Sequence, residues 1–311
     1  MKFSKNKNNF LYLVILAFVF ISTSALAISG AVPEVIKNLS ILPSVSKNFP
    51  PNPVLGASTT FPVISAEGVL AVDLDSGVSL YEKNPDTTLL PASTTKIVTA
   101  LVSLDAYKPD DVLTVGKGVG VDGQKIGLFA GEQMTAENLL YSLLVYSAND
   151  AAETLAQNYP NGGYDGFIAA MNAKAKDLSM NSSGFENPVG LDNPSQITTA
   201  RDLVRAAEVA MRNPEFAKIV GTKEITVTDV TGKDKYDLKN VNELLGQVPG
   251  VLGVKTGWTQ NARENLVTYI ERDGHRVMIA ILGSEDRFGE TKELIDWIFS
   301  NYQWQGVQLP S

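Results

Sequence analysis

The sequence predicts an α/β (α+β) fold in which an antiparallel sheet is flanked by helices and accompanied by an all-helical lobe. Strand-like segments occur towards both ends of the chain, and the stretch between them shows mainly helical periodicity. Two pairs of strands are joined by hairpin signals, which makes those pairs antiparallel. With 311 residues, 44% of them hydrophobic, the chain can bury a sizeable core.

The N-terminal 61 residues differ in composition from the rest. Residues 1–27 combine three lysines, twelve consecutive apolar residues and an Ala-Leu-Ala end, which is typical of a signal peptide. An uncleaved membrane anchor is the alternative. Residues 28–61 are rich in proline and serine and are predicted to form a linker. We expect the folded domain over residues 62–303 and a short tail over 304–311.

The elements of the predicted domain follow in order along the chain. Strands at 68–74 and 78–82 form a hairpin, a helix starts at Ser93, and short strands with turns are expected over 113–131. Five helices are then predicted, at 135–144, 150–157, 164–178, 199–212 and 214–220. Four strands follow, at 224–228, 253–256, 266–270 and 277–282. An amphipathic helix over 288–298 completes the domain.

Composition excludes several kinds of active site. The chain has no cysteine, which rules out thiolate nucleophiles and zinc sites built on sulfur. The single histidine, His275, lies in an Arg-Asp-Gly-His-Arg segment that is typical of an exposed hairpin turn. The formal net charge of −8 argues against nucleic acid or an anionic membrane as the main partner.

Ser93 and Lys96 are the first candidates for a chemical role. They lie three residues apart, so a helix brings them to one face. The start of a helix also offers unpaired N–H groups to a developing oxyanion. A serine followed by a lysine one turn later is a known way to activate a hydroxyl without histidine. The pattern alone is weak, because Ser4 and Ser44 match it too.

Ser147 and Asn149 form a second candidate pair, in a Ser-Ala-Asn segment between two predicted helices. Taken alone, these residues indicate a cap that opens the following helix. The tripeptide Ser-x-Asn also occurs at three other places in the chain, so its own specificity is low.

Lys255-Thr256-Gly257 is the third motif, and it occurs once, at the end of a predicted strand. A glycine there lets a ligand backbone approach the strand edge. The lysine and nearby hydroxyls offer a binding patch for a carboxylate. A surface lysine in a turn is the alternative interpretation.

The three motifs stand in the order and at the domain-scale intervals typical of penicillin-binding proteins and class A β-lactamases. From residue 63 to residue 298 the chain resembles the serine D-alanyl-D-alanine carboxypeptidases, the low-molecular-mass penicillin-binding proteins. This resemblance implies a β-lactamase/transpeptidase-like fold without a metal or organic cofactor. It also implies removal of the terminal D-alanine from peptidoglycan stem peptides, with β-lactam antibiotics as inhibitors. Further blocks that resemble the family are residues 199–202, 242–245, 253–259 and 287–288.

The resemblance also implies a role for each matched residue. Ser93 would attack the carbonyl of the penultimate D-alanine, and Lys96, its pKa lowered by burial and by Lys255, would take the serine proton. Ser147 would relay a proton to the leaving amine, and Asn149 would position the substrate and Lys96. The backbone N–H groups of Ser93 and Trp258 would form the oxyanion hole. The residues expected to bind substrate are Lys255, Thr256, Gly257, Trp258, Thr259 and Arg287.

The match to the family has two departures. Ala262 is followed by Arg263 where relatives usually have glycine, and Val189 stands where many have histidine. Both leave the reaction rate open. We expect the domain outside the cytoplasm, either secreted to the cell envelope or held at the membrane by its N-terminal segment alone.

Three other functions stay open at this point. A D,D-endopeptidase acting on peptidoglycan cross-links would use the same residues. A β-lactamase would need a deacylating glutamate, for which Glu186 beside Asn187 is the candidate. A catalytically silent wall-binding module is the third alternative.

Overall fold

The computed structural model describes residues 49–306 except 58, 118 and 120. The predicted signal segment and most of the predicted linker lie outside the described residues. The central sheet consists of the strands β2 (Gly68–Asp73), β3 (Ser79–Lys83), β8 (Val251–Thr259), β9 (Arg263–Arg272) and β10 (His275–Ser284). These five strands are antiparallel and lie in the order β3-β2-β10-β9-β8.

Three two-stranded ribbons and seven helices complete the described part of the chain. The ribbons are β1 (Asn52–Leu55) with β11 (Tyr302–Gln305), β4 (Val112–Thr114) with β5 (Gln133–Thr135), and β6 (Glu224–Thr228) with β7 (Lys235–Lys239). The helices are α1 (Lys96–Ala106), α2 (Ala136–Leu144), α3 (Asn149–Gln157), α4 (Gly163–Asp177), α5 (Ala200–Met211), α6 (Pro214–Val220) and α7 (Arg287–Asn301). A 3₁₀ turn (Ala92–Thr95) leads directly into α1.

The predicted fold class is confirmed. Strand β10 shows how the sheet packs against other elements on both of its faces. Its alternate residues Val277, Ile279 and Ile281 pack in a cluster with α7, whereas Met278, Ala280 and Leu282 join the larger cluster formed with the helical lobe. Since successive side chains of a strand point to opposite faces, this apolar run buries both faces of the sheet.

Local signals set the ends of several helices. The Thr135 hydroxyl accepts a hydrogen bond from the Asn138 N–H at the start of α2, and Thr199 does the same for Asp202 at the start of α5. Each such cap pairs one N–H group that the helix itself cannot pair. Asp286 caps α7 through the Gly289 N–H.

The predicted domain boundaries need correction at both ends. Strand β1 pairs with β11 from Asn52↔Gln305 to Leu55↔Tyr302, so part of the predicted linker and part of the predicted tail belong to the folded domain. The prolines had suggested a linker, but Pro53 lies in an edge strand, where a missing N–H group is tolerated. Trp304 secures this ribbon by donating its indole N–H to Asp73 at 2.7 Å.

Strand β7 was not predicted, because three of its five residues are charged. It pairs with all of β6, and this ribbon forms one wall of the cleft described below. Within residues 49–306 and outside the three gaps, no helix is both long and apolar enough to cross a membrane.

Candidate active site

Ser93 is held by the turn that precedes α1. Ala92 has a φ of 47°, an unusual conformation for a residue with a side chain, and it directs the chain into the 3₁₀ turn. The Nδ2 group of Asn265 donates to the carbonyls of Leu90 at 2.9 Å and Pro91 at 3.0 Å. These contacts fix the backbone just ahead of Ser93, whose side chain is half-buried at the floor of a cleft.

Lys96 lies one turn further on and is fully buried. Its Nζ contacts Asn149 Oδ1 at 2.7 Å, the Val189 carbonyl at 2.7 Å and Ser93 Oγ at 2.9 Å. The two carbonyl-type oxygens can only accept, so each takes one N–H of the amine. In the neutral amine, the remaining tetrahedral position is a lone pair that faces the Ser93 hydroxyl.

Burial lowers the pKa of Lys96 to about 7, although the carboxylates of Asp150 and Glu153 oppose this shift. The cause is desolvation, which penalises the charged form of a buried amine. An amine with such a pKa has its neutral form available near pH 7, and only that form can accept a proton from a serine.

Lys255 supplies a second buried amine on strand β8. Its Nζ donates to Ser147 Oγ at 2.8 Å and to the Thr256 carbonyl at 3.0 Å. Burial, together with the positive charges of Lys96 and Arg287, holds its pKa well below the usual range. Ser147 itself has a φ of 66°, so its hydroxyl is held towards Lys255 by a strained backbone.

The remaining predicted site residues lie along the same cleft. Gly257 lets β8 lie against the Ser93 turn, since an added Cβ would be 3.1 Å from the backbone nitrogens of Ser93 and Thr94. Arg287 donates to the Gly257 carbonyl at 3.0 Å. The cleft has a volume of about 1080 Å³, and the predicted site residues that line it are Ser93, Ser147, Asn149, Thr256, Gly257, Trp258, Thr259 and Arg287.

Thr259 differs from the expectation that it is free for a substrate carboxylate. Its hydroxyl contacts both oxygens of Asp192, at 2.8 and 3.0 Å, and Asn261 donates to the same carboxylate at 3.0 Å. Asp192 thus ties the loop that follows Val189 to the end of strand β8. Nothing in the sequence singled out Asp192, because the contact joins positions 67 residues apart.

The backbone of Val189 and Gly190 is the other part of the site that sequence reasoning missed, since the sequence analysis noted Val189 only for its side chain. The site uses the carbonyl of Val189, so the identity of its side chain gave no signal. Gly190 adopts a φ of 91°, and a Cβ there would lie 1.8 Å from the Ala92 carbonyl oxygen. This loop therefore packs directly on the backbone that carries Ser93.

The structure does not support a β-lactamase-type glutamate at the predicted position. Glu186 is exposed and does not line the cleft. The Asn187 side chain accepts hydrogen bonds from the N–H groups of Val189, Gly190 and Leu191, which is a turn-forming role. His275 also lies outside the cleft, half-buried and stacked on Trp304 with ring centroids 4.1 Å apart.

The arrangement can perform nucleophilic acyl transfer. It places a hydroxyl beside an amine of low pKa, and a second hydroxyl-amine pair faces the same cleft. The Arg287 guanidinium lines one side of the cleft and makes that side suited to an anionic group.

Comparison with known proteins gives one consistent result. A family described as D-alanyl-D-alanine carboxypeptidase matches residues 56–286. The D-alanyl-D-alanine carboxypeptidase DacF of Bacillus subtilis is 32% identical over 76% of this chain and 63% of its own length. A D-alanyl-D-alanine endopeptidase of Pseudomonas aeruginosa is 32% identical over 84% of this chain and 85% of its own length.

A solved structure agrees with these sequence matches. The crystal structure of the Streptomyces K15 DD-transpeptidase aligns with a TM-score of 0.73 and 33% sequence identity. The alignment covers 78% of this chain and all of that structure. The chain thus spans less than two thirds of the Bacillus relative but the whole of the Streptomyces structure.

Proposed function

The chain belongs to the D-alanyl-D-alanine carboxypeptidase family, and from this we propose that it removes the terminal D-alanine of peptidoglycan stem peptides through an acyl-enzyme on Ser93. The observation that carries the proposal is the contact of 2.9 Å between Ser93 Oγ and a buried lysine whose pKa is about 7. A hydroxyl needs such a base to become a nucleophile near neutral pH.

Acylation begins with attack of Ser93 Oγ on the carbonyl carbon of the penultimate D-alanine, while Lys96 Nζ takes the serine proton. The backbone N–H groups of Ser93 and Trp258 stabilise the oxyanion. When the C–N bond breaks, the proton held by Lys96 passes through the Ser147 hydroxyl to the leaving amine, which returns Lys96 to its neutral form, and Lys255, 2.8 Å from the Ser147 hydroxyl, orients that hydroxyl. Water then attacks the ester, neutral Lys96 accepts its proton and gives it to the departing Ser93 Oγ, and Ser93 is regenerated.

The terminal carboxylate of the substrate is assigned to the cationic side of the cleft. The buried Lys255 donates to the Ser147 hydroxyl and to the Thr256 carbonyl, so it contributes on this side by holding these two residues in place. Thr256 and Arg287 line the same side. We assign Thr259 a supporting role, because its hydroxyl is engaged by Asp192.

The proposed partners are stem peptides ending in D-Ala-D-Ala and, as inhibitors, β-lactam antibiotics. Relatives of this family act on the cell wall, which implies a role outside the cytoplasm. Residues 1–27 are proposed to direct export, with or without cleavage, and to provide any contact with the membrane.

Intact mass after exposure to benzylpenicillin tests the proposal. We expect a stable adduct on the wild type and none on Ser93→Ala, with release of D-alanine from a pentapeptide by the wild type alone. Lys96→Ala should remain folded and lose most of the acylation. A Lys96→Ala variant that acylates at the wild-type rate would refute the lysine base. Rapid consumption of the drug without an adduct would instead indicate a β-lactamase.

A further inference from the structure

Asp150 is a buried carboxylate that the proposed reaction does not use. It is 1% exposed and lies in the first turn of α3, directly after Asn149. A buried carboxylate must be well paired, and the oxygens of Asp150 accept four backbone N–H groups, three of them from one loop. The donors are Gly127 at 2.8 Å, Leu128 at 3.0 Å, Ala151 at 3.1 Å and Ile126 at 3.3 Å. Asp150 therefore holds the loop of residues 122–128 in place.

The 122–128 loop forms part of the cleft wall, through Gly123 and Gln124. Two hydrogen bonds join it to Asn149, whose backbone N–H donates to the Gln124 carbonyl at 2.7 Å and whose Nδ2 donates to the Asp122 carbonyl at 2.6 Å. The loop also lies very close to this amide, because a Cβ added at Gly123 would be 2.8 Å from Asn149 Nδ2. The loop therefore sets the position of the Asn149 side chain.

The Asp122 carbonyl determines which end of the Asn149 amide faces Lys96. A carbonyl can only accept, so it takes the Nδ2 end and turns Oδ1 towards Lys96, which donates to it at 2.7 Å. In this orientation the lone pair of the neutral amine stays available for the Ser93 proton. The reversed amide would present an N–H group to Lys96 Nζ and would bind that lone pair. A lysine bound in this way could not deprotonate the serine.

We propose that Asp150 is a positioning residue for the lysine base. By holding the 122–128 loop, it keeps the Asp122 carbonyl against the Asn149 amide. The amide in turn keeps its oxygen towards Lys96, so that the lone pair of the lysine is directed at the serine hydroxyl. This inference deepens the proposed function and rests on it, because it assumes that the lysine accepts the serine proton.

The charge of Asp150 acts on the same lysine. Desolvation lowers the pKa of Lys96 to about 7, and the carboxylates of Asp150 and Glu153 oppose this shift. Burial and the positive charge of Lys96 lower the pKa of the neighbouring Lys255 amine, which is the cationic group on this side. Loss of the Asp150 charge should therefore move the acidic fall in acylation rate to lower pH, whereas loss of positioning should lower the plateau rate above that fall. One pH–rate profile separates the two effects.

A double-mutant cycle in the full-length enzyme tests this route, with acylation by a chromogenic β-lactam measured between pH 5 and pH 9. Asp150→Asn leaves one acceptor oxygen for the four N–H groups and adds two donors. We expect its plateau rate at pH 9 to fall about 10- to 100-fold. In the Asn149→Ala background, the same change should cost less than about twofold, since no amide remains to be oriented.

Asp229→Asn is the matched control. Asp229 is 7% exposed, and its carboxylate also holds a loop, by accepting the N–H groups of Thr231, Lys233 and Asp234 between β6 and β7. This loop lies outside the lining of the cleft. The control variant should therefore lose stability while its acylation plateau and its pH profile stay those of the wild type.

Gly123→Ala reaches the Asn149 amide without removing the buried carboxylate, since the new Cβ would collide with Nδ2. We expect a similar loss in plateau rate, and this loss should again disappear in the Asn149→Ala background. Additive losses in either cycle, or a wild-type plateau in Asp150→Asn or in Gly123→Ala, would overturn the inference and leave the proposed function intact. A wild type that forms no adduct at Ser93 would instead refute the proposed function.

Discussion

The pH dependence of Ser93 acylation follows from the buried state of Lys96. A lysine with the usual pKa of 10.5 would have about one neutral molecule in 3000 at pH 7, whereas a pKa of about 7 makes about half of them neutral. Only the neutral amine can accept the serine proton. Its fraction falls about 50-fold between pH 7 and pH 5, so the acylation rate should fall by the same factor.

Stopped-flow acylation by a chromogenic β-lactam, between pH 5 and pH 9, measures the acid limb of the pH–rate profile, which is the fall in acylation rate below pH 7. Acid loss with a midpoint near 7 and a plateau above it is the expected profile. The Glu153→Gln variant removes a carboxylate that raises the pKa of Lys96, so its limb should move to lower pH. Glu186→Gln, an exposed glutamate outside the cleft, should leave the limb in place. A wild-type rate that is the same at pH 5 and pH 7 would refute a lysine base.

Three further predictions concern the backbone around the site. Gly190→Ala should lower the free energy of unfolding by about 2–4 kcal/mol and abolish acylation, because the new Cβ would collide with the Ala92 carbonyl. The control Gly232→Ala changes a glycine with a φ of 71° and no atom within 4 Å of the added Cβ, so it should lower the free energy of unfolding by only about 1 kcal/mol. Equal losses for the two variants in denaturant unfolding would contradict this. Asn265→Ala removes the side-chain hydrogen bonds to the carbonyls of Leu90 and Pro91 and from the Gly283 N–H. It should lower the free energy of unfolding by about 2–4 kcal/mol and slow acylation. A variant as stable as the wild type would show that these hydrogen bonds are dispensable. Arg263→Gly removes the backbone strain of a φ of 58° but also removes the ion pair with Glu285. The two effects oppose each other, so the free energy of unfolding should change by less than about 1 kcal/mol and the acylation rate should not change. A large loss of acylation rate would assign this arginine a role in the site.

Sequence reasoning located the elements that carry the site because each depends on local signals. The helix after Ser93 and the helix predicted from residue 135 are examples, and the structure has both. Strand β7 escaped prediction although its charged and apolar residues alternate, because the segment is only five residues long and three of the five are charged, and pairing with β6 makes it a strand. The β1–β11 ribbon was missed for a related reason: the pairing joins segments about 250 residues apart, and no local pattern records it.

Within the site, side-chain motifs were readable and main-chain geometry was not. The residue types at 93, 96 and 255 predicted where amines and hydroxyls occur, and the structure brings them to one cleft. The Val189 carbonyl and the Asp192 carboxylate are set by how a loop folds over the Ser93 turn, which a single sequence does not encode locally. Arg263 is the instructive exception, because its positive φ is a conformation that the glycine expected there from the resemblance would adopt without strain.

The β1–β11 ribbon also determines how the domain responds to tension. Asn52 is paired with Gln305, so the start of the first strand and the end of the last strand lie side by side at one end of this antiparallel ribbon. A force that separates these two strand ends loads the hydrogen bonds one after another, as in a zipper, and does not shear the central sheet. If the chain is held before Asn52 and pulled beyond Gln305, β1 therefore separates from β11 first. The cleft that contains Ser93 keeps its shape while these hydrogen bonds break.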